Sequence, residues 1–175
     1  GCNIMEFMEV IKKRRSVRAY QNKEIRDDKL GRILEAARFA PSANNKQSWK
    51  FIVVKDPETK RKLVKVSRNQ SFIGEAPVVI AGVALEPDRV MSCEVPAYAV
   101  DLAIAIQHIA LAAANEGLGT CWIGAFSQDD VKKILGVPDA YKIVALMPMG
   151  YPADSPGTKT RKSLEDIVCY ERFSE

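Results

Sequence analysis

Three groups of residues in this chain have the types and spacing to do chemistry. The first lies in KKRRSVRAY, where Arg14, Ser16 and Arg18 stand two residues apart. In an extended chain such residues face one side. Two guanidinium forks and a hydroxyl on one side suit a phosphate or another polyanionic group. Lys12 to Arg18 holds five cations in seven residues. A solvated basic helix end is the other reading, and it also suits the negative end of the helix dipole. The second group is PSANNKQSW, Pro41 to Trp49, where Ser42, Asn44, Asn45, Gln47 and Ser48 offer neutral hydrogen-bonding groups. These could hold a flat polar heterocycle. Pro, Ser and Asn also dominate turns for purely local reasons, and taken alone the residues favour that plainer reading. The third is the apolar, β-prone run Thr120 to Phe126, in which Gly124 would let a backbone come close to a ligand.

Other chemistries lack their residues. GLGTCWIG has Trp122 where a dinucleotide-binding fingerprint needs Gly, and it follows a helical pattern instead of a strand. No P-loop is present. His108 is the only histidine, so a Ser-His-Asp triad would have to use it. Its place in an apolar helix marks it as a core residue with a satisfied hydrogen bond. Cys2, Cys93, Cys121 and Cys169 form no CxxC pair and no zinc pattern, so no metal is expected. Scattered single cysteines suit a reducing cytoplasm. Paired carboxylates in an apolar setting are absent. A chain with clustered cations, amides and a glycine strand but so little acid, base or nucleophile borrows its chemistry from a cofactor.

The elements that must position these groups are legible from pattern. The 175 residues suit one domain, long enough to bury about 70% of the unfolded surface without a disulfide or metal. An apolar fraction of 47% and a charged fraction of 27% are ordinary for a globular protein. The net charge of +4 weakly favours anionic ligands. The organising element is Ala97 to Ala114, a helix in which only Asp101, Gln107 and His108 are strongly polar. Such a helix is buried all round, in a core or between subunits. Its alanines and polar interruptions argue against a membrane span. Gly117 and Gly119 end it with C-cap chemistry. The opening GCNIMEF has no charged region followed by an apolar core, so no secretory signal is expected.

Along the chain, Ile4 to Lys13 reads as an amphipathic helix with Ile4, Met5, Phe7, Met8 and Ile11 on its apolar side. Asp27 or Asp28 caps a second helix reaching about Phe39, with Leu30, Ile33, Leu34, Ala37 and Phe39 buried. Trp49 to Val54 reads as an interior strand. Asp56-Pro57 starts a helix to about Ser67, with Lys55, Lys60, Arg61, Lys62 and Lys65 on a solvated face. Ser67 to Pro77 is a loop or short helix, and Pro77 to Ala84 a second interior strand. Glu86 to Pro96 is a polar connection expected to be mobile. Ser127 and Asp130 form a capping-box start. Lys142 to Met149 is the last strand. A loop from Tyr151 and a short helix or turn near Ser163 to Val168 follow. Helices and strands mix irregularly, which favours α+β with one sheet flanked by helices.

Five features in this order resemble the FMN-dependent nitroreductase family over residues 5–168. They are Arg14-Arg15-Ser16-Val17-Arg18, the segment Pro41 to Trp49, Asn69 ahead of the second strand, the buried helix with Gly117 to Gly124, and Lys159-Thr160-Arg161-Lys162. Ser48 stands where that family usually has Pro. The resemblance implies a single nitroreductase-like domain over 1–175. It implies an α+β fold with a central mixed sheet flanked by helices and the long buried helix at a homodimer interface.

It also implies two FMN molecules at that interface. Arg14, Arg15 and Ser16, with Lys159 or Arg161, would hold the phosphate and ribityl chain, and Arg18 and Asn69 would reach the pyrimidine edge. Pro41, Ser42, Ala43, Asn45 and Gln47 would cover the flavin from the other subunit. Ile123 and Gly124 would pass the ring, with the Gly124 N–H directed at N5. The implied reaction is ping-pong: hydride from NAD(P)H to N5, then transfer to a nitroaromatic, a quinone or a similar small acceptor. A flavin-binding protein without such turnover, serving as a specialised dehydrogenase or dehalogenase or in flavin storage, would share these residues. A basic nucleic-acid module would show steep salt dependence, and the basic segments lack the aromatic interleaving it needs. Neither nucleic acid nor membrane is expected as a partner.

Overall fold

The computed structural model describes residues 6–155, 157 and 159–175. Its elements are α1 (Phe7–Lys13), α2 (Asp27–Arg38), β1 (Trp49–Val54), α3 (Pro57–Val66), α4 (Phe72–Glu75), β2 (Val78–Ala84), α5 (Ala97–Asn115), β3 (Gly119–Thr120), α6 (Gln128–Leu135) and β4 (Lys142–Gly150). A 3-10 turn, Ala43–Asn45, interrupts the loop before β1. The four strands form one sheet in the order β1-β2-β4-β3. Every strand pair is antiparallel, so the expected mixed sheet is an antiparallel one here. Among the described residues a parallel contact survives only as the isolated bridge between Ser16 and Thr120.

Helices cover both faces of the sheet. On one side Leu30, Ile33 and Ala37 of α2 and Leu102, Ile106 and Ile109 of α5 pack on Val78, Ile80 and Met147. On the other, Leu63 of α3, Ile73 of α4 and Val131 of α6 pack on Val79, Ala81 and Leu146. Alternate residues of β2 therefore face opposite layers, and the whole strand is buried, as its unbroken apolar run requires. β1 departs from expectation: it is an edge strand and mostly half-buried. An apolar run does not distinguish a strand covered on both faces from one at an edge.

α5 buries Leu102, Ala105, Ile106, Ile109 and Ala113 against the sheet and α2. Its 19 residues are long and apolar enough to cross a bilayer, yet this packing is that of a core helix. His108 is half-buried with its Nδ1 2.9 Å from the Ala36 carbonyl, a satisfied structural histidine. The helix is not covered all round. Val100, Ala103 and Gln107 are exposed, and Ile104 and Leu111 between them are half-buried. Their spacing puts them on one stripe. Glu116 caps the helix and Gly117 takes φ +79°, the left-handed conformation that suits glycine.

Other local expectations shift at their edges. Ile4 and Met5 of the first predicted helix lie outside the described residues. Phe7, Met8 and Ile11 are exposed, and Val10 is the buried position. Asp27 and Asp28 sit in the first turn of α2, whose N-cap is Arg26. Phe39 is 69% exposed and lies under the Arg38 guanidinium at 4.4 Å, because the helix stops one residue earlier and turns it outward. Asp56 caps α3 as expected, accepting the Thr59 N–H at 2.7 Å. Lys60 leaves the solvated face: it is buried, and its ammonium donates to the Ala76 carbonyl at 2.7 Å. That burial lowers its pKa. Ser163 and Asp166 close a hydrogen-bonded turn, not a helix.

Candidate functional site

After α1 the chain does become extended: Arg14 caps the helix with φ −60° and ψ 128°. Val17 and Tyr20 turn inward, while Arg14 and Ser16 are half-buried and Arg18 is exposed. This strap is fastened on both sides. The Val17 N–H donates to the Thr120 carbonyl at 2.9 Å, and Ser16 bridges Thr120 in parallel. On the other side, Gln21 N–H donates to the Tyr151 carbonyl and Ala153 N–H to the Ala19 carbonyl, both at 2.9 Å. The Tyr20 hydroxyl donates to the Val17 carbonyl at 2.6 Å and lies 3.3 Å from that of Pro148. Burial pushes this phenol's pKa far up, so it stays neutral and serves as an anchor.

The seam between Val17 and Gly119 is tight. A Cβ on Gly119 would stand 2.5 Å from Val17 Cγ2. Glycine is therefore a packing requirement there, not the helix stop expected of it. Through this seam the basic strap meets the segment that carries Ile123 and Gly124. Ile123 is pinned to β4 by two bonds with Leu146, at 2.8 and 3.1 Å. Gly124 lies in the open: a Cβ there would find only Trp122 Nε1, at 3.8 Å.

Beside the seam is a cleft of about 130 Å³ lined by Arg14, Arg15, Val17, Ala110, Ala114, Gly117, Gly119, Thr120 and neighbours. Usual ligand pockets run from about 300 to 1,000 Å³, so the cleft is part of a site. Arg15 extends a guanidinium to the Gly157 carbonyl at 3.4 Å, which brings the chain carrying Lys159 and Arg161 towards this end. Both are exposed, and Arg161 donates to the neighbouring Thr160 carbonyl at 2.9 Å. Arg26, Arg32, Arg38 and Arg61 are ion-paired. Among the described residues Arg14 and Arg18 have no such pairing, which leaves both forks available.

The amide loop lies elsewhere. Pro41, Asn45 and Gln47 are exposed, and Ser42 and Ala43 are half-buried. Ser42 Oγ accepts the Gln47 N–H at 3.0 Å. The Ala43 N–H donates to Asp101 Oδ1, at 2.9 Å, near the start of α5. The arginine cleft touches Ala110 and Ala114 near the end of α5. Asp101 and Ala114 are 13 residues apart, about 20 Å along the axis at 1.5 Å per residue. One chain therefore does not bring the two groups together. Asn69 is exposed in a left-handed turn with φ 54° after α3.

Sequence reasoning missed the residues that hold the amide loop. Asp101 was visible as an acid in an apolar helix, a signal for a specific hydrogen bond. Arg89, whose guanidinium nitrogens lie 3.4 Å from the Ala43 carbonyl, carried none. The connection 86–96, expected to be mobile, is closed by Met91 N–H to the Val95 carbonyl at 2.9 Å and Ala97 N–H to that of Arg89 at 3.0 Å. A larger cleft of about 810 Å³, between Tyr20–Asp27 and Lys55, Lys60 and Glu75, contains none of the expected site residues.

Known proteins resemble this chain over most of its length. The sequence profile of the Nitroreductase family matches residues 11–78 and 65–151. A Methanothermobacter thermautotrophicus protein, provisionally named an NADH dehydrogenase/NAD(P)H nitroreductase, is 34% identical over 89% of this chain and 82% of its own. The FMN reductase [NAD(P)H] of Bacillus subtilis is 31% identical over 96% of this chain and 74% of its own. The crystal structure of a nitroreductase family protein from Clostridium novyi superposes with a TM-score of 0.81 at 41% identity, covering 89% of each chain. A family profile matching most of the chain, and relatives above 30% identity over most of its length, show that this chain belongs to the nitroreductase family.

Proposed function

We propose that this protein is a soluble, cytoplasmic FMN-dependent NAD(P)H oxidoreductase that works as a homodimer, one domain over 1–175 per subunit. One observation carries the reading: the Ser16–Thr120 bridge joins the Arg14–Arg18 strap to the Gly124 segment, motifs more than a hundred residues apart in the chain. The chain's own residues fit the cofactor. Unpaired arginine forks suit a phosphate, and the open backbone at Gly124 admits a flat ring.

The incompleteness of the single chain supports the dimer. The stripe of Val100, Ala103, Ile104 and Leu111 on α5, apolar except for Gln107 within it, needs covering. A two-fold partner packed antiparallel on it sets the Asp101 end of one copy beside the Ala114 end of the other. Pro41, Ser42, Ala43, Asn45 and Gln47 of one subunit then close over the arginine cleft of its partner.

In this site Arg14 and Ser16, with Lys159 or Arg161, hold the phosphate and ribityl chain, and Arg15 orients the segment that carries the last two. Arg18 and Asn69 serve the pyrimidine edge. A fixed guanidinium there stabilises negative charge without reorganising. Ile123 and Gly124 form the wall along the ring. Bound FMN would supply the redox chemistry, a ping-pong exchange of hydride between NAD(P)H and a nitroaromatic, a quinone or a similar acceptor. Free thiols at Cys93, Cys121 and Cys169 suit a reducing cytoplasm.

The test is an absorption spectrum after FMN addition and desalting, followed by anaerobic NAD(P)H. Stoichiometric flavin that bleaches supports the oxidoreductase. Retained flavin that does not bleach points to a flavin-binding protein without turnover. A colourless protein rejects the proposal.

A further inference from the structure

The backbone of the amide loop is costly as it stands. Asn44, Asn45 and Gln47 have φ of 54°, 53° and 53°, three left-handed residues within four positions. Asparagine tolerates this conformation and glutamine does so less readily. Such geometry persists only where the surroundings impose it.

The surroundings act at Ala43, on both of its backbone polar groups. Its N–H goes to the buried Asp101 carboxylate at 2.9 Å, and its carbonyl faces both Arg89 guanidinium nitrogens at 3.4 Å. Asp101 belongs to α5, a core element, so one jaw of the clamp is rigid. Arg89 is itself fixed, because its carbonyl accepts the Ala97 N–H at 3.0 Å. Two further ties run in parallel. The Ser48 hydroxyl bonds Glu86, and the Lys46 ammonium lies 3.5 Å from the Glu86 carboxylate. The Ser48 contact, with Lys46 behind it, holds that carboxyl below its ordinary pKa.

We propose that Asp101 and Arg89 are positioning residues for the flavin cover. They hold loop 42–47 in its binding conformation and tie it to segment 86–97, so that cover and segment form one unit. The inference rests on the FMN reading above. Its physical basis is preorganisation: apparent affinity falls in proportion to the fraction of molecules whose loop is already set. Neither residue needs to touch the cofactor.

The experiment titrates flavin-stripped protein with FMN, following fluorescence quenching, for wild type, Asp101→Leu, Asp101→Asn and Arg89→Met. Urea midpoints are measured alongside. Asp101→Leu removes a charge-assisted bond of near-constant shape and should weaken FMN by about tenfold or more. Asp101→Asn keeps an acceptor oxygen and should return affinity to within about threefold of wild type. Arg89→Met keeps the apolar stem and should weaken FMN by about threefold or more. A merely structural Asp101 would lower the urea midpoint of Asp101→Leu and leave FMN affinity in the folded protein unchanged; that result overturns the inference. If Asp101→Leu does not fold, unchanged affinity in Arg89→Met overturns it equally. Wild type that fails to bind FMN rejects the flavin reading itself, a distinct outcome.

Discussion

Gly119→Ala tests the seam on which the site depends. The added Cβ would stand 2.5, 2.7 and 2.9 Å from Val17 Cγ2, Cβ and Cγ1. Real contacts of this kind need roughly 3.5–4.0 Å, so strap and strand must part by about an ångström. Val17 is a buried β-branched residue with little rotamer freedom, so the backbone has to move. Overpacking of this kind costs about 1–3 kcal/mol. Losing the 2.9 Å bond from Val17 N–H to the Thr120 carbonyl adds about 1 kcal/mol. The expected loss of folding stability is about 2–4 kcal/mol on those figures. FMN should weaken with it, because Arg14 and Ser16 move with Val17. Urea denaturation measures the first effect and FMN titration of the folded fraction the second. A control sharpens the result. Val17→Ala removes the two methyls, so the double variant should be less destabilised than the sum of the singles, by about 0.5–3 kcal/mol. Wild-type stability and FMN affinity in Gly119→Ala would refute the seam. Strict additivity of the two changes would refute the proposed clash.

Gly124→Val should fold with a wild-type urea midpoint, since the space around Gly124 is open, yet lose FMN; normal flavin binding would show that the ring lies elsewhere. Arg18→Ala should weaken FMN retention by about tenfold and slow reduction by NAD(P)H, measured by stopped-flow absorbance, as expected for a lost charge–charge-assisted contact. Acid should weaken the tie between α2 and the end of α5, where Arg32 bridges Asp28 at 3.1 Å and Glu116 at 2.7 Å. The side-chain bonds from Arg26 and Arg32 lower the Asp28 carboxyl from 3.8 to about 2, and Arg32 lowers Glu116 as well. Both pKa values are depressed on folding, so this stabilisation is present above the unfolded values near 4 and is lost as pH falls towards about 2. Arg32→Gln should flatten the fall in urea midpoint across that window; an unchanged slope would dismiss the bridge as a contributor.

The parts of this protein legible in the sequence are those whose causes lie within a few residues. Asp56 followed by Pro57 starts α3, since cap and first turn are neighbours in the chain. The alanine-rich run of α5 forms a helix that packs a broad apolar side into the core, since apolar residues dominate its composition. The continuous apolar run of β2 lies between two layers. The arginine strap, amide loop and glycine segment stood out by residue type and spacing, but taken alone those left a solvated basic face open for the first and favoured plain turn chemistry for the second. Tertiary structure decided what depends on which surfaces meet. It put β1 at an edge, turned Phe39 outward and buried Lys60, because helical period alone does not say how far a covering layer extends. It made Gly119 a packing residue, since only the arrival of Val17 creates the clash. It assigned Asp101 to the Ala43 amide across 58 positions of chain. It also separated the amide loop from the arginine cleft by the length of α5. That distance is fixed by the rise of a helix and by what docks at each end, and no local pattern of residues encodes it.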